Sequence, residues 1–150
     1  MNDETAEVRI RTLQDFDLGG IVALDEKISG EYRPEVWETR LSYYMRRDPE
    51  GSFVAELDGQ VVGFMLGEVR SGEFGLEEPT GWIEVLGVDP DVRGQAIGRR
   101  LADSILEYFC EEGAESVRTL VDEATMDGIA SFFVALDFEA APLKSFVKRL

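Results

Sequence analysis

A mixed α/β fold, with about six to seven strands in one sheet and about four flanking helices, is what this 150-residue sequence predicts. Three observations carry the prediction. Two apolar runs meet at Asp58-Gly59, a dipeptide that closes tight hairpins because both positions tolerate positive φ. From Ile97 onward, apolar side chains recur every four residues, as on the buried face of a helix. Just before that helix lies "GWIEVLGV", a run with few charges that reads as a central strand. Hairpins first and a strand–helix–strand unit afterwards give the order β-α-α-β-β-β-α-β-α-β, with room for one more closing strand.

Each element has its own warrant. Val8–Leu13 alternates polar and apolar, as a short half-buried strand does. The pattern then turns helical, with Thr12 and Asp15 as candidate caps, and runs to the Ser29-Gly30 break. Pro34 suits the first turn of a second helix, "PEVWETRLSYYMRR". The hairpin "SFVAEL-DG-QVVGFMLGEVR" follows, and the Gly- and Glu-rich stretch Ser71–Thr80 reads as a loop. Ile97, Leu101, Ile105 and Phe109, with Ala102 and Leu106 alongside, define the third helix, which Gly113 ends. "SVRTLV" is a further strand, "GIASFFVAL" a further helix, and "KSFVKRL" a closing strand.

Composition narrows the chemistry. The chain is the size of one domain, residues 1–150, with no internal repeat or linker. No run approaches the roughly 18 apolar residues of a membrane span. The acidic "MNDETAE" start is the opposite of a signal peptide, so a cytoplasmic location is expected. A single cysteine, Cys110, excludes an internal disulfide and cysteine-rich zinc sites. Its place on an apolar helix face favours a buried structural thiol over a nucleophile. With no histidine, any general base must be a carboxylate, lysine, tyrosine, cysteine or water, and no metal site is indicated. Fifteen basic against 31 acidic residues leave a net charge of −16, which repels nucleic acid and anionic membranes. That charge favours cationic partners; solubility or adaptation to salt explains it equally well.

The stretch "VDPDVRGQAIGRR" leads from strand to helix. A helix N-terminus offers unpaired N–H groups and about half a positive charge, so such a turn grips anions when small residues allow close approach. Pro90 stops the strand, Gly94 and Gly98 bracket the helix start, and Arg93 adds a cation. An ordinary strand-to-helix connection has the same spacing. The Gly-Lys-Ser/Thr ending of a Walker loop and a Gly-x-Gly-x-x-Gly fingerprint are both missing.

Here the sequence resembles the GNAT acetyltransferases, whose coenzyme-A loop reads Arg/Gln-x-x-Gly-x-Gly/Ala after a strand ending Val-x-Pro. "RGQAIG", Arg93 to Gly98, matches at its first and last fixed positions and departs at Ala96. The resemblance spans nearly the whole chain: "VRIRTLQDFD", "VVGFMLG", "IEVLGVDPDVRGQAIGRRLADSILEYF" and "SFFVALDF" stand in the family's order. It implies a strongly twisted mixed sheet that splays open between "GWIEVLGV" and "SVRTLV" to admit acetyl-CoA as co-substrate. The main chain at Leu86, Gly87 and Val88 would then meet the pantetheine arm. Arg93, Gly94, Gln95, Ala96, Ile97, Gly98 and Arg99 would line the pyrophosphate. Dimers are common in the family, so a homodimer is compatible. If position 96 needs a left-handed backbone, alanine costs roughly 1–2 kcal/mol there. If it is already helical, alanine is better than glycine by up to about 1 kcal/mol.

Acetyl transfer to an amine requires the neutral amine. A free lysine presented neutral at pH 7 costs roughly 4.6 kcal/mol and an α-amino group only about 1, so a base matters more for the first. Glu84 is the candidate base, a carboxylate in an otherwise apolar strand, expected on one face with Trp82, Leu86 and Val88. A salt bridge to an arginine such as Arg118 is its structural alternative. Asp122 and Glu123 are further acids, and the backbone N–H of Leu86 is a candidate donor to the thioester carbonyl. By resemblance, the tyrosine that often protonates the leaving thiolate falls on Phe133, the asparagine near that helix start on Met126, and a glutamate of some relatives on Val121. None of these can supply the role, so the thiolate leaves unassisted or takes a proton from water. Glu31, Tyr32, Trp37, Tyr43 and Tyr44 offer an acidic–aromatic lip for a cationic acceptor amine, although such aromatics are as a rule helix core. The leading expectation is an acetyl-CoA-dependent N-acetyltransferase acting by direct attack in a ternary complex. Its alternative is a weak or inactive CoA-binding module of the same fold.

Overall fold

The Asp58-Gly59 hairpin forms with both turn residues at positive φ, 52° and 77°, joining strands β2 (Phe53–Leu57) and β3 (Gln60–Arg70). The protein is seen here as a computed structural model that describes residues 7–92, 95–122, 124 and 128–150. These fall into two compact units, Met1–Leu120 and Val121–Leu150.

In the first unit, β1 (Arg9–Thr12), β2, β3 and β4 (Thr80–Val88) pair antiparallel in sequence order, and β5 (Ser116–Thr119) adds parallel to β4. One turn of 3-10 helix, Asp15–Asp17, precedes helix α1 (Leu18–Ser29). The bidentate pair between Arg11 and the buried Asp17 ties that turn to the sheet edge. Helix α2 (Pro34–Arg47) begins at Pro34 as expected, and α3 (Ile97–Glu111) follows β4. In the second unit, α4 (Ile129–Ala135) packs Phe133 edge-on against Phe132 and Phe138.

The alternation along β3 decides which helix covers which face. Phe64 and Leu66 join Leu13, Ile21, Leu24, Trp37, Leu41, Tyr44 and Val54 in a core under α1 and α2. Trp37 meets Phe64 edge-to-face at 5.1 Å. The opposite face is built for α3 by removing side chains. A Cβ on Gly63 would lie 2.9 Å from Ile97 and 3.1 Å from Leu101, while Gly67 and Gly81 form the slot that holds the Phe109 ring. Full burial of each such side chain contributes about 1.5–3 kcal/mol, so this face commits α3 to one position on the sheet.

Two expectations need correction. The sheet has five strands among the described residues rather than six to seven, because "KSFVKRL" (144–150) is irregular. Phe146 and Val147 there are both 89% exposed: adjacent apolar residues point to opposite sides of a strand, so the segment has no single face to bury. Cys110 is exposed, not buried. It follows Phe109 by one residue, about 100° around the helix from the stripe that packs.

Candidate active site

β4 and β5 pair only from Thr80–Ser116 to Ile83–Thr119, so β4 runs on from Glu84 to Val88 without a β5 partner. The strands part at the residue where β4 also leaves its register with β3. Leu66 pairs with Val85 and Gly67 with Ile83, so Glu84 is the extra residue of a β-bulge. A bulge interrupts the ladder and re-aims one side chain.

The bulge overturns one expectation about faces. Glu84, Trp82, Leu86 and Val88 do not share a side of the sheet. After the inserted residue the alternation shifts: Leu86 pairs with Met65 and Val88 with Gly63, on the α3 face, whereas Gly87 lies against Phe64 and Ile28. Trp82 pairs with Glu68. Glu84 is left with the residues that α2 covers.

There its carboxylate is held from two elements. Tyr44 of α2 donates its hydroxyl to Oε1 at 2.8 Å, and Arg70 of β3 donates to Oε2 at 2.7 Å. The expected partner Arg118 is not the one used. A carboxylate has about four lone-pair sites, so two remain for a water or an amine. The Glu84 side chain is 29% exposed, so those sites are within reach of solvent. Burial, reinforced by the bond to Glu84, pushes the Tyr44 hydroxyl well above the ordinary tyrosine range, which makes it a holder of the carboxylate rather than a proton donor. Arg70 lies over the Trp82 ring at 5.8 Å and also faces Glu68 and Glu73. Burial pulls its basicity down, but the bond to Glu84 and the charges of Glu84 and Glu68 outweigh that and raise it. Glu68 is buried at 2% exposure and accepts from Arg47 at 3.2 Å.

The lip residues divide. Trp37 and Tyr44 are core, Tyr43 is half exposed with Arg47 over its ring, and Glu31 and Tyr32 face solvent. Arg33 clamps the buried Asp25 through two bonds of 2.8 and 2.9 Å, which anchors the α1–α2 connection.

At the far end of β4 the chain turns through Asp89–Val92. The Asp89 carboxylate accepts from the Asp91 N–H, and Lys27 of α1 contacts Asp89 and Asp91, each at 2.8 Å. Arg93 and Gly94 lie outside the described residues, as do Glu123 and Met126. Ala96 is the N-cap of α3 with φ 49° and ψ 43°, left-handed. Its carbonyl accepts from Arg100 N–H, so the N–H groups of Ile97, Gly98 and Arg99 precede the first intrahelical bond and point out of the helix end. Ile97 offers only main chain here, because its side chain is buried against Gly63. Arg99 is exposed, with Asp103 at 3.8 Å as a loose neighbour. In the second unit, Asp122 accepts from Ala124 N–H and Phe133 is buried.

Sequence reasoning missed Arg70 and Lys27. A signal for Arg70 existed: Glu68 and Arg70, two residues apart, put opposite charges on one face of an otherwise apolar strand. No group of three or more acidic or cysteine side chains among the described residues could hold a metal ion. No described helix is long and apolar enough to cross a membrane.

Comparison with known proteins bears on the family and the fold. Residues 20–138 match the family model described as "Acetyltransferase (GNAT) family". A mycothiol acetyltransferase of Thermobispora bispora is 35% identical over 124 residues, covering 78% of this chain and 42% of the relative. One from Acidothermus cellulolyticus is 32% identical over 139 residues, covering 82% and 42%. The chain thus spans about two fifths of the length of these relatives. An aminoglycoside N-acetyltransferase solved in complex with CoA superposes with a TM-score of 0.80 at 17% identity, over 99% of both chains, which is a likeness of fold.

Proposed function

The chain belongs to the GNAT acetyltransferase family, and on that footing we propose that it transfers an acetyl group from acetyl-CoA to a primary amine by direct attack in a ternary complex. The observation that carries the reading is the bulge that lifts Glu84 out of the ladder where β4 and β5 part. Acetyl-CoA enters that parting. Its pantetheine arm runs along the main chain of Leu86, Gly87 and Val88, and its pyrophosphate meets the N–H groups at the start of α3. Arg93, Gly94, Gln95 and Ala96 complete that loop.

Glu84 is the general base. Glu84 takes one proton from the ammonium, directly or through one water, and the neutral nitrogen then attacks the thioester carbonyl carbon and gives its second proton to water. Backbone N–H groups freed by the bulge, near Leu86, polarise the carbonyl oxygen. The tetrahedral intermediate collapses, the C–S bond breaks, and the thiolate takes a proton from water. The acceptor is a cationic amine drawn in by the acidic surface; the mycothiol and aminoglycoside acetyltransferases among its relatives and neighbours support an amine acceptor in general.

The test couples calorimetric titration with acetyl-CoA to thiol-release assays over a panel of amines. The reading expects micromolar acetyl-CoA binding and turnover that Glu84→Gln lowers by about 10²–10⁴-fold while acetyl-CoA affinity is kept. Binding without turnover on any amine would favour the inactive CoA-binding module instead. No binding by folded protein would remove both readings.

A further inference from the structure

Arg70 sits between two carboxylates and satisfies only one of them. Its NH2 group reaches Glu84 at 2.7 Å, but NH1 stands 3.5 Å from Glu68, too long for a strong bond. Its Nε is buried without a hydrogen-bond acceptor among the described residues, with Glu73 no nearer than 3.7 Å. Glu68 is 2% exposed, and its Oε2 is buried without a donor among the described residues. Arg70 thus carries an orphan donor and Glu68 an orphan acceptor, on side chains that already stand 3.5 Å apart. Leaving such groups unpaired in the interior is costly, about 1–3 kcal/mol each. A small swing of the planar group toward Glu68 pairs both and yields the two-pronged geometry that arginine favours with carboxylates. The same swing vacates Oε2 of Glu84, the carboxylate that solvent can reach. The Trp82 ring under the guanidinium provides a flat surface for the movement, since stacking tolerates sliding.

We infer that Arg70 is a positioning residue with two seats: it holds Glu84 when no acceptor is bound, and moves onto Glu68 when the protonated nitrogen of a cationic amine takes its place at Glu84. The inference rests on the reading of Glu84 as the acceptor-side base. It gives a role to Glu68, which touches no substrate. The buried carboxylate receives the arginine that the substrate displaces. Arg47, bonded to Oε1 of Glu68, and the Tyr43 hydroxyl beside them keep that carboxylate in place, and Oε2, with no donor among the described residues, is the second seat. A cationic acceptor therefore exchanges one ion pair for another at constant charge, instead of crowding two cations onto one carboxylate.

The test reads Arg70 itself. In the full chain labelled with ¹⁵N, the Nε–H signal of Arg70, assigned by its loss in Arg70→Lys, is followed while 1,4-diaminobutane is added. Formation of the Nε bond to Glu68 shifts that signal and slows its exchange with water; Glu68→Gln, which keeps the shape and removes the charge, suppresses both changes. In turnover assays Glu68→Gln lowers kcat by about tenfold and raises KM for the amine, with KM for acetyl-CoA unchanged. Arg70→Lys restores part of the rate lost in Arg70→Gln. An Arg70 signal that the diamine leaves unchanged in the wild-type protein overturns the inference, and so does a Glu68→Gln enzyme with wild-type kcat. Failure of the base reading shows differently: Glu84→Gln would then keep full turnover, whatever the Arg70 signal does.

Discussion

Ala96→Gly should make the protein more stable, against the usual direction for glycine inside a helix. Ala96 stands at φ 49°, ψ 43°. An L-residue there costs roughly 1–2 kcal/mol, because Cβ crowds the following carbonyl. Glycine removes that term but restores about 0.4–1 kcal/mol of backbone entropy to the unfolded chain. The balance is a gain of about 0.5–1 kcal/mol, or about 2–3 °C in Tm for a chain this long. The assay is urea unfolding followed by circular dichroism, with Ala96→Val as the opposite arm. Valine, stiffer at Cβ, should fall below wild type. A glycine variant less stable than wild type by about 0.5 kcal/mol or more would refute the reasoning, since it would mean that residue 96 is right-handed, where alanine is the better helix former. Acetyl-CoA affinity of the same variants reports whether the methyl group also crowds the phosphate.

Gly81→Ala should cost about 1–3 kcal/mol, read by the same unfolding assay, because its Cβ would meet the Phe109 ring in a slot with no slack. Tyr44→Phe removes one of the two bonds that hold Glu84; kcat should fall by about tenfold with KM for acetyl-CoA unchanged, and an unaltered kcat would show that Glu84 does not need the Tyr44 bond in turnover. Stability should drop as the pH falls below about 4, because the bonds from Arg33 hold the Asp25 carboxyl below its usual range. A depressed carboxyl contributes fully above its unfolded pKa and loses the contribution as pH falls through the folded one. Arg33→Gln should therefore flatten the acid side of the stability curve, measured by thermal melts at a series of pH values. Lys27→Gln should weaken acetyl-CoA binding by no more than about fivefold in calorimetry, since the pair is exposed, yet it braces the turn that leads into α3.

Much of the fold was legible because local signals agreed with one another. Pro34 marked the start of α2, Asp58-Gly59 the hairpin, and the Ile97–Leu101–Ile105–Phe109 stripe the packed face of α3. Glu84 was legible as a carboxylate that an apolar strand must account for. Its surroundings were not. The bulge contains Ile83, Glu84 and Val85, with no glycine or proline to mark it, so an unbroken alternation along the strand puts Leu86 and Val88 on the wrong face. Arg70 and Tyr44 reach Glu84 from 14 and 40 residues away, separations at which periodicity says nothing. The left-handed Ala96 was undecidable for a related reason: alanine itself does not favour those dihedrals, and the next residue, Ile97, is packed against Gly63, more than 30 residues away in sequence.

The inserted residue at Glu84 also governs how this strand can change over time. Substitutions in β4 act on single positions, but a length change acts on a parity. Deleting Glu84 would restore an unbroken ladder with Gly67 and Leu66. The resulting protein could keep a better-paired sheet and still lose the carboxylate that Tyr44 of α2 holds. An added residue would swap the occupants of both faces beyond it, sending Leu86 and Val88 toward α1 and a glycine toward α3. For this strand, an alignment gap of one is therefore a larger event than several substitutions. Comparing lengths across Gly81–Val88 before comparing residues is the surer way to ask whether another chain retains this site.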